Sequence, residues 1–254
     1  KNKDFALTAG RVQWVGENGN IIRVEKKFPS KPFNLKDILL ENQFPVHSPL
    51  VRSEVFKTVG YFDRKMNPME DWDMWIRIMS AGFKIICTNH IIAKYYQFPT
   101  SMSSNSETIC KARLRISEKY LTKDNFDSTF IRKAWSYTYL DCARGKYIQG
   151  KDDEGEELIR KAIKSYPLVL DNFNFFYNLG YLYRLSVDNL NKIKFSIDYG
   201  AKIIKKLLLT IEKSGEFKVN GLIKRAFSHY YFSLALHYIK IKDIKSFLNY
   251  IFRA

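Results

Sequence analysis

Met69-Glu70-Asp71-Trp72-Asp73-Met74-Trp75-Ile76-Arg77 places three carboxylates, two indoles and a guanidinium within nine residues. A carboxylate held within hydrogen-bond reach of a hydroxyl, with a suitable pKa, can remove its proton. The same letters also suit a helix start. Acids in a first turn gain about 0.3–1 kcal/mol each from the helix dipole, and an i, i+4 pair such as Asp73 and Arg77 adds roughly 0.2–0.5 kcal/mol. Trp72, Trp75, Ile76 and Met79 fall on one face, so the spacing predicts a helix over 70–81, stopped at Gly82. Locally, helix start and chemistry both remain open, with structure slightly ahead.

The neighbouring elements must position these acids. "FALTAGRVQWV" and "IIRV" flank "GENGN", whose Asn-Gly tolerates the positive φ of a tight hairpin, which predicts strands near 5–15 and 20–25. Helices are expected at "LKDILLEN" and at "RSEVFKTVG", which ends at Gly60, with "FPVHS" read as a strand between them. "FKIICT" and "HIIAKYY" read as further strands. Strands and helices in this order indicate an α/β layer with a mixed sheet.

The Ser-, Thr-, Asn- and Pro-rich "FPTSMSSNSE" suggests a boundary, giving an α/β domain over 1–104 and an all-α helical-hairpin domain over 105–254. In the second part Tyr139, Ala143, Gly150, Ile159, Ala162 and Pro167 stand where a 34-residue tetratricopeptide-like hairpin would place an aromatic, a small residue, a turn glycine, an apolar residue, a small residue and a stop. Lys146 and Gly155 depart from that pattern. The stripes "FNFFY" and "HYYF" read as core.

Nearly half of the 254 residues are apolar, enough to fill a core, and no apolar run is long enough to span a bilayer. No secretory signal opens the sequence. Cys87, Cys110 and Cys142 are odd in number and irregularly spaced, suggesting neither a disulfide framework nor a zinc site, and a reducing cytoplasm is the simplest setting. The net charge is +16; residues 105–254 carry 27 Lys and Arg against 16 Asp and Glu. These lysines recur at helical spacing between apolar residues, which fits solvated helix faces better than a nucleic-acid groove. Nucleic acid is therefore disfavoured, while peripheral contact with anionic lipid stays open.

"FPVHSPLVRSEVFKTVGYFDRKMNPMEDWDMWIRIMSAGFKI" resembles the acceptor half of inverting family 2 glycosyltransferases of GT-A fold, over roughly residues 5–105. "GYFD" followed by "EDWDMWIR" carries the resemblance, and "GRVQWVGENGNIIRV" is similar to the family's hairpin. The resemblance implies transfer of a sugar from a nucleotide sugar, with inversion, to a hydroxyl of a glycan, lipid-linked or protein acceptor. It implies Asp71 as general base, Glu70 as its orienting neighbour, Trp72 as a sugar platform, and His47 and Ser48 near the acceptor pocket. Asp73 and Arg77 are expected to support the structure. A divalent cation, manganese or magnesium, is expected in the complete enzyme, held by an Asp-x-Asp of the nucleotide-binding half. This chain alone is expected to bind none, because its single Asp-x-Asp spelling occupies the "ED" position and Tyr96 and Phe98 stand where the family often carries Arg and His.

The setting expected is cytoplasmic, with a place at the inner face of a membrane left open. A different class remains open: a non-catalytic module whose helical domain binds a protein partner beside a remnant glycosyltransferase domain.

Overall fold

The computed structural model describes residues 5–29, 31–98, 100–102, 105–179, 190–215 and 221–254. The chain divides into two compact units, Lys1–Phe126 and Asp127–Ala254. The first is α/β and the second all-α.

Strand β1 (Phe5–Val15) is the axis of the first unit. Strand β4 (Lys84–Tyr96) runs parallel to it from Phe5 to Val15. Strands β2 (Ile21–Val24) and β3 (Leu50–Val51) pair with it antiparallel, near its C-terminal and N-terminal parts respectively. The sheet is therefore mixed. The β1–β2 turn closes through the Gly16 and Gly19 amides, as its Asn-Gly signal predicts. Parallel strands need a long crossover, and here it holds α1 (Leu35–Leu40), α2 (Ser53–Val59), a 3-10 turn at Arg64–Met66, and α3 (Glu70–Ser80). Helix α2 stops at Gly60, whose φ of 78° suits glycine and whose N–H returns to Phe56 O.

Three boundaries differ from the sequence reading. "FKIICT" and "HIIAKYY" form one strand, because β1 is long enough to pair with both across a register shift from Gly10↔Thr88 to Arg11↔Ile91. Phe44–Ser48 is not a strand; it turns, with the Ser48 amide on Pro45 O, and the strand is only Leu50–Val51. Helix α4 (Ser106–Tyr120) belongs to the first unit although the composition changes at residue 105. Its Arg113, Arg115, Lys119 and Tyr120 all reach back into that unit.

The second unit opens with a hairpin of α5 (Ser128–Ile148) and α6 (Asp152–Ser165). A 3-10 turn at Pro167–Asp171 ends it, followed by α7 (Phe173–Leu179), α8 (Leu190–Ser214), α9 (Leu222–Lys240) and α10 (Ile244–Ile251). Tyr147, Ile159, Ile163, Phe176, Ile204, Leu208, Tyr230 and Leu234 share one buried core, so "FNFFY" and "HYYF" do contribute to it. The stretch from Gly180 to Leu185 of the expected helical pair lies outside the described residues.

The two departures from the tetratricopeptide pattern meet here. Tyr147, one residue beyond Lys146, is the buried aromatic, and its ring lies against Gly155, where an added Cβ would sit 2.8 Å from ring carbon. Gly155→Ala therefore has to displace a buried ring, and is expected to destabilise this unit by about 1–3 kcal/mol in denaturant titration despite alanine's better helix propensity. An unchanged or raised midpoint would refute that packing.

Among the three cysteines only Cys87 is a free thiol, while Cys110 and Cys142 are disulfide-bonded, although their number and spacing suggested no disulfide framework. An odd count rules out only a fully paired set. Among the described residues no helix is long and apolar enough to cross a membrane.

Candidate functional site

Helix α3 begins without a side-chain cap from Met69, so its first amides need other acceptors. Asp71 supplies one: its Oδ1 accepts from the Trp72 amide at 2.6 Å. Its Oδ2 accepts from Asn42 Nδ2 at 3.3 Å, just past the end of α1. The carboxyl is half-buried. Burial raises its pKa to about 6, the Trp72 and Asn42 hydrogen bonds oppose the rise, and the charge of Glu70 adds to it. Glu70 presents a buried Oε2 with no hydrogen-bond partner. A buried acceptor left open is what an incoming hydroxyl or a water would satisfy.

Asn42→Ala removes a bond that holds the Asp71 pKa down, so the carboxyl should titrate above its wild-type value. Carboxyl NMR titration reads this directly, and an unchanged or lower pKa would disprove Asn42's influence.

Asp73, two residues on, has a different environment. It is fully buried, and its Oδ1 accepts from Lys119 Nζ at 2.7 Å and Tyr120 OH at 2.6 Å. Its Oδ2 accepts from Arg77 Nε at 2.8 Å. Burial opposes ionisation here too, but Lys119, Tyr120 and Arg77 prevail and the pKa falls below its usual value. Arg77 then spends its remaining donors on the carbonyl of Val59 and on Tyr61 O, the latter at 2.8 Å. The end of α2, with the "GYFD" that follows it, is tied to α3 through this ion pair.

Trp72 offers no platform. It is 2% exposed, its Nε1 donates to Ile38 O at 2.6 Å, and the Arg113 guanidinium covers its ring at 4.1 Å. A sugar has no ring face to stack on, which corrects that expectation. Ser48 is also buried; its hydroxyl donates to Gly10 O and accepts from the Gly10 amide at 3.2 Å, pinning the turn to β1. His47 is exposed, with its ring 5.1 Å from that of Tyr95, and partial burial lowers its pKa. No contact joins either residue to Asp71 among the described hydrogen bonds.

The residues missed by sequence reasoning lie on α4 and after α1. Arg113 donates to Leu40 O at 2.7 Å, and Arg115 to Lys65 O at 2.7 Å and Asn67 O at 3.3 Å, fixing the loop that leads into α3. These are contacts between a side chain and distant backbone, for which local spacing carries no signal.

A divalent cation does not fit this site. Asp73 is committed to three donors, and among the described residues no three His, Cys, Asp or Glu side chains gather as a cation-ligating group.

No protein-family model matches the chain, and no solved structure matches it. An uncharacterised glycosyltransferase of Methanocaldococcus jannaschii is 30% identical over 95 residues, covering 37% of this chain and 32% of the relative. That similarity relates the chain to a glycosyltransferase. The chain spans about a third of that relative's length.

Proposed function

We propose that this chain is the acceptor-side portion of an inverting, family 2-like glycosyltransferase of GT-A type, in which Asp71 is the general base. One observation carries the reading: a half-buried carboxyl at a helix start, with a pKa near 6, beside an unpartnered Glu70 oxygen. A base is most effective when its pKa lies near the working pH. The similarity to a glycosyltransferase supports the class.

In the reaction, the acceptor hydroxyl oxygen bonds to the anomeric carbon while its proton passes to Asp71. The bond from that carbon to the donor phosphate breaks on the opposite face, and the nucleoside diphosphate leaves with the electron pair. Glu70 orients the acceptor hydroxyl. Asp73, Arg77 and α4 hold the helix in place, and any divalent cation would be held by residues outside this chain.

Nucleoside diphosphate release is the test, measured with a panel of nucleotide sugars and acceptors on the protein that joins this chain to a donor-binding half. Release that depends on acceptor and on Asp71 supports the reading; turnover indifferent to Asp71→Asn overturns the base assignment. One rival is an interaction module beside a remnant enzyme domain. Failure of that joined protein to bind any nucleotide sugar, measured by calorimetry with manganese, would favour the rival.

A further inference from the structure

The α9–α10 hairpin presents a surface unrelated to the acid cluster. Helix α10 packs inward through Phe247 and Tyr250, with the Tyr250 ring 5.3 Å from that of Tyr238. The opposite side carries three large apolar residues beside exposed Lys245 and Asn249. Ile244, Leu248 and Phe252 are 52%, 45% and 85% exposed, and their i, i+4, i+8 spacing lines them along one stripe. None of the three belongs to the buried core.

Charge surrounds the stripe. Lys242, Lys245 and Arg253 are exposed beside it. Helix α10 runs back along α9, because the Ser228 hydroxyl donates to Ala254 O at 2.6 Å, which brings exposed Lys224 towards the Phe252 end. From Lys224 to Ala254 the sequence holds six Lys and Arg against one Asp. That Asp243 is already engaged: it caps α10 through the Ser246 amide and pairs with Lys194 at 2.7 Å. Of the six, Arg225 pairs with Asp171 at 2.7 Å, outside the segment, so the basic charge beside the stripe is that of Lys242, Lys245 and Arg253.

An apolar stripe flanked by lysines is the pattern of a helix that lies in a bilayer interface, with side chains among the acyl boundary and ammonium groups among anionic headgroups. We propose that α10 docks this chain on an anionic phospholipid surface, with Ile244, Leu248 and Phe252 inserted and Lys242, Lys245 and Arg253 paired with phosphates. This goes beyond the glycosyltransferase reading and does not depend on it.

Co-sedimentation of the chain with vesicles tests the proposal. Vesicles of mixed phosphatidylserine and phosphatidylcholine should bind it, pure phosphatidylcholine much less, and added salt should weaken the binding. Lys242→Gln with Lys245→Gln should cost roughly twenty-fivefold, about fivefold for each ammonium lost near the surface. Leu248→Glu with Phe252→Glu should abolish binding while circular dichroism shows the helical fold retained, because neither residue belongs to the buried core. Three results would overturn the proposal: a folded wild type that ignores anionic vesicles, equal binding by the Leu248→Glu, Phe252→Glu chain, or a stripe that drives self-association of the chain in place of vesicle binding.

Discussion

Replacing Asp73 with Ala is expected to cost the first unit about 3–5 kcal/mol, as loss of one partner from a buried ion pair generally does. The magnitude follows from what is left behind. Lys119 is left with the longer Asp63 contact at 3.6 Å, the Tyr120 hydroxyl loses its acceptor, and Arg77 loses the carboxylate that aims it at the α2 carbonyls. Asp73→Asn should cost less, because an amide oxygen can still accept from Tyr120, while the charge that balances Arg77 and Lys119 is gone. The pH dependence has a definite sign. The Asp73 pKa is lowered on folding, so its contribution is present above the ordinary carboxylate pKa and disappears as pH falls through the still lower folded value. Wild type and Asp73→Ala should therefore converge in stability only in strong acid. Urea titrations from neutral to acid pH read this, and a neutral-pH difference under about 1 kcal/mol, the range of an exposed pair, would show that the pair is only a surface salt bridge.

The α3 helix was readable because its signals are local: Trp72, Trp75 and Ile76 are buried on the face their spacing specified. The β1–β2 hairpin was readable for the same reason, an Asn-Gly turn between β-prone runs. Long-range effects were not. The long β4 depends on the length of its partner β1, and the allegiance of α4 depends on arginines that reach carbonyls at positions 40, 65 and 67. Trp72 shows the limit most clearly. Its type and its place beside the acids suggested a sugar platform, yet Arg113, 41 residues away, covers the ring. Residue type told which chemistry could occur, while exposure, set by distant residues, decided which side chain is open to it. Asp71 and Asp73 make the same point, since identical residues two apart in one helix have pKa values displaced in opposite directions by different neighbours.

Asp71→Asn should separate function from stability. If Asp71 is the base, the variant loses about 10²–10⁴-fold in transfer, the usual contribution of a general base, and the loss falls on kcat because the proton moves only in the transition state. The fold should gain. Wild-type Asp71 has a folded pKa of about 6 against an ordinary value of 3.8, so the folded state holds the proton more tightly and stability falls as pH rises from about 4 to about 6. Above that range the buried charge costs about 2 kcal/mol, after allowing for partial exposure; an asparagine does not incur it and gives up the long Asn42 hydrogen bond at 3.3 Å, worth about 1 kcal/mol. The variant should thus be no more stable than wild type near pH 4 and exceed it at pH 7 in denaturant midpoint. A carboxylate that the fold itself keeps at a cost is where function is expected to offset stability. A structural acid behaves otherwise: its asparagine variant is destabilised at neutral pH, as Asp73→Asn should be. If Asp71→Asn proves less stable than wild type at pH 7 while transfer persists, Asp71 is only a helix-start residue and the base assignment fails.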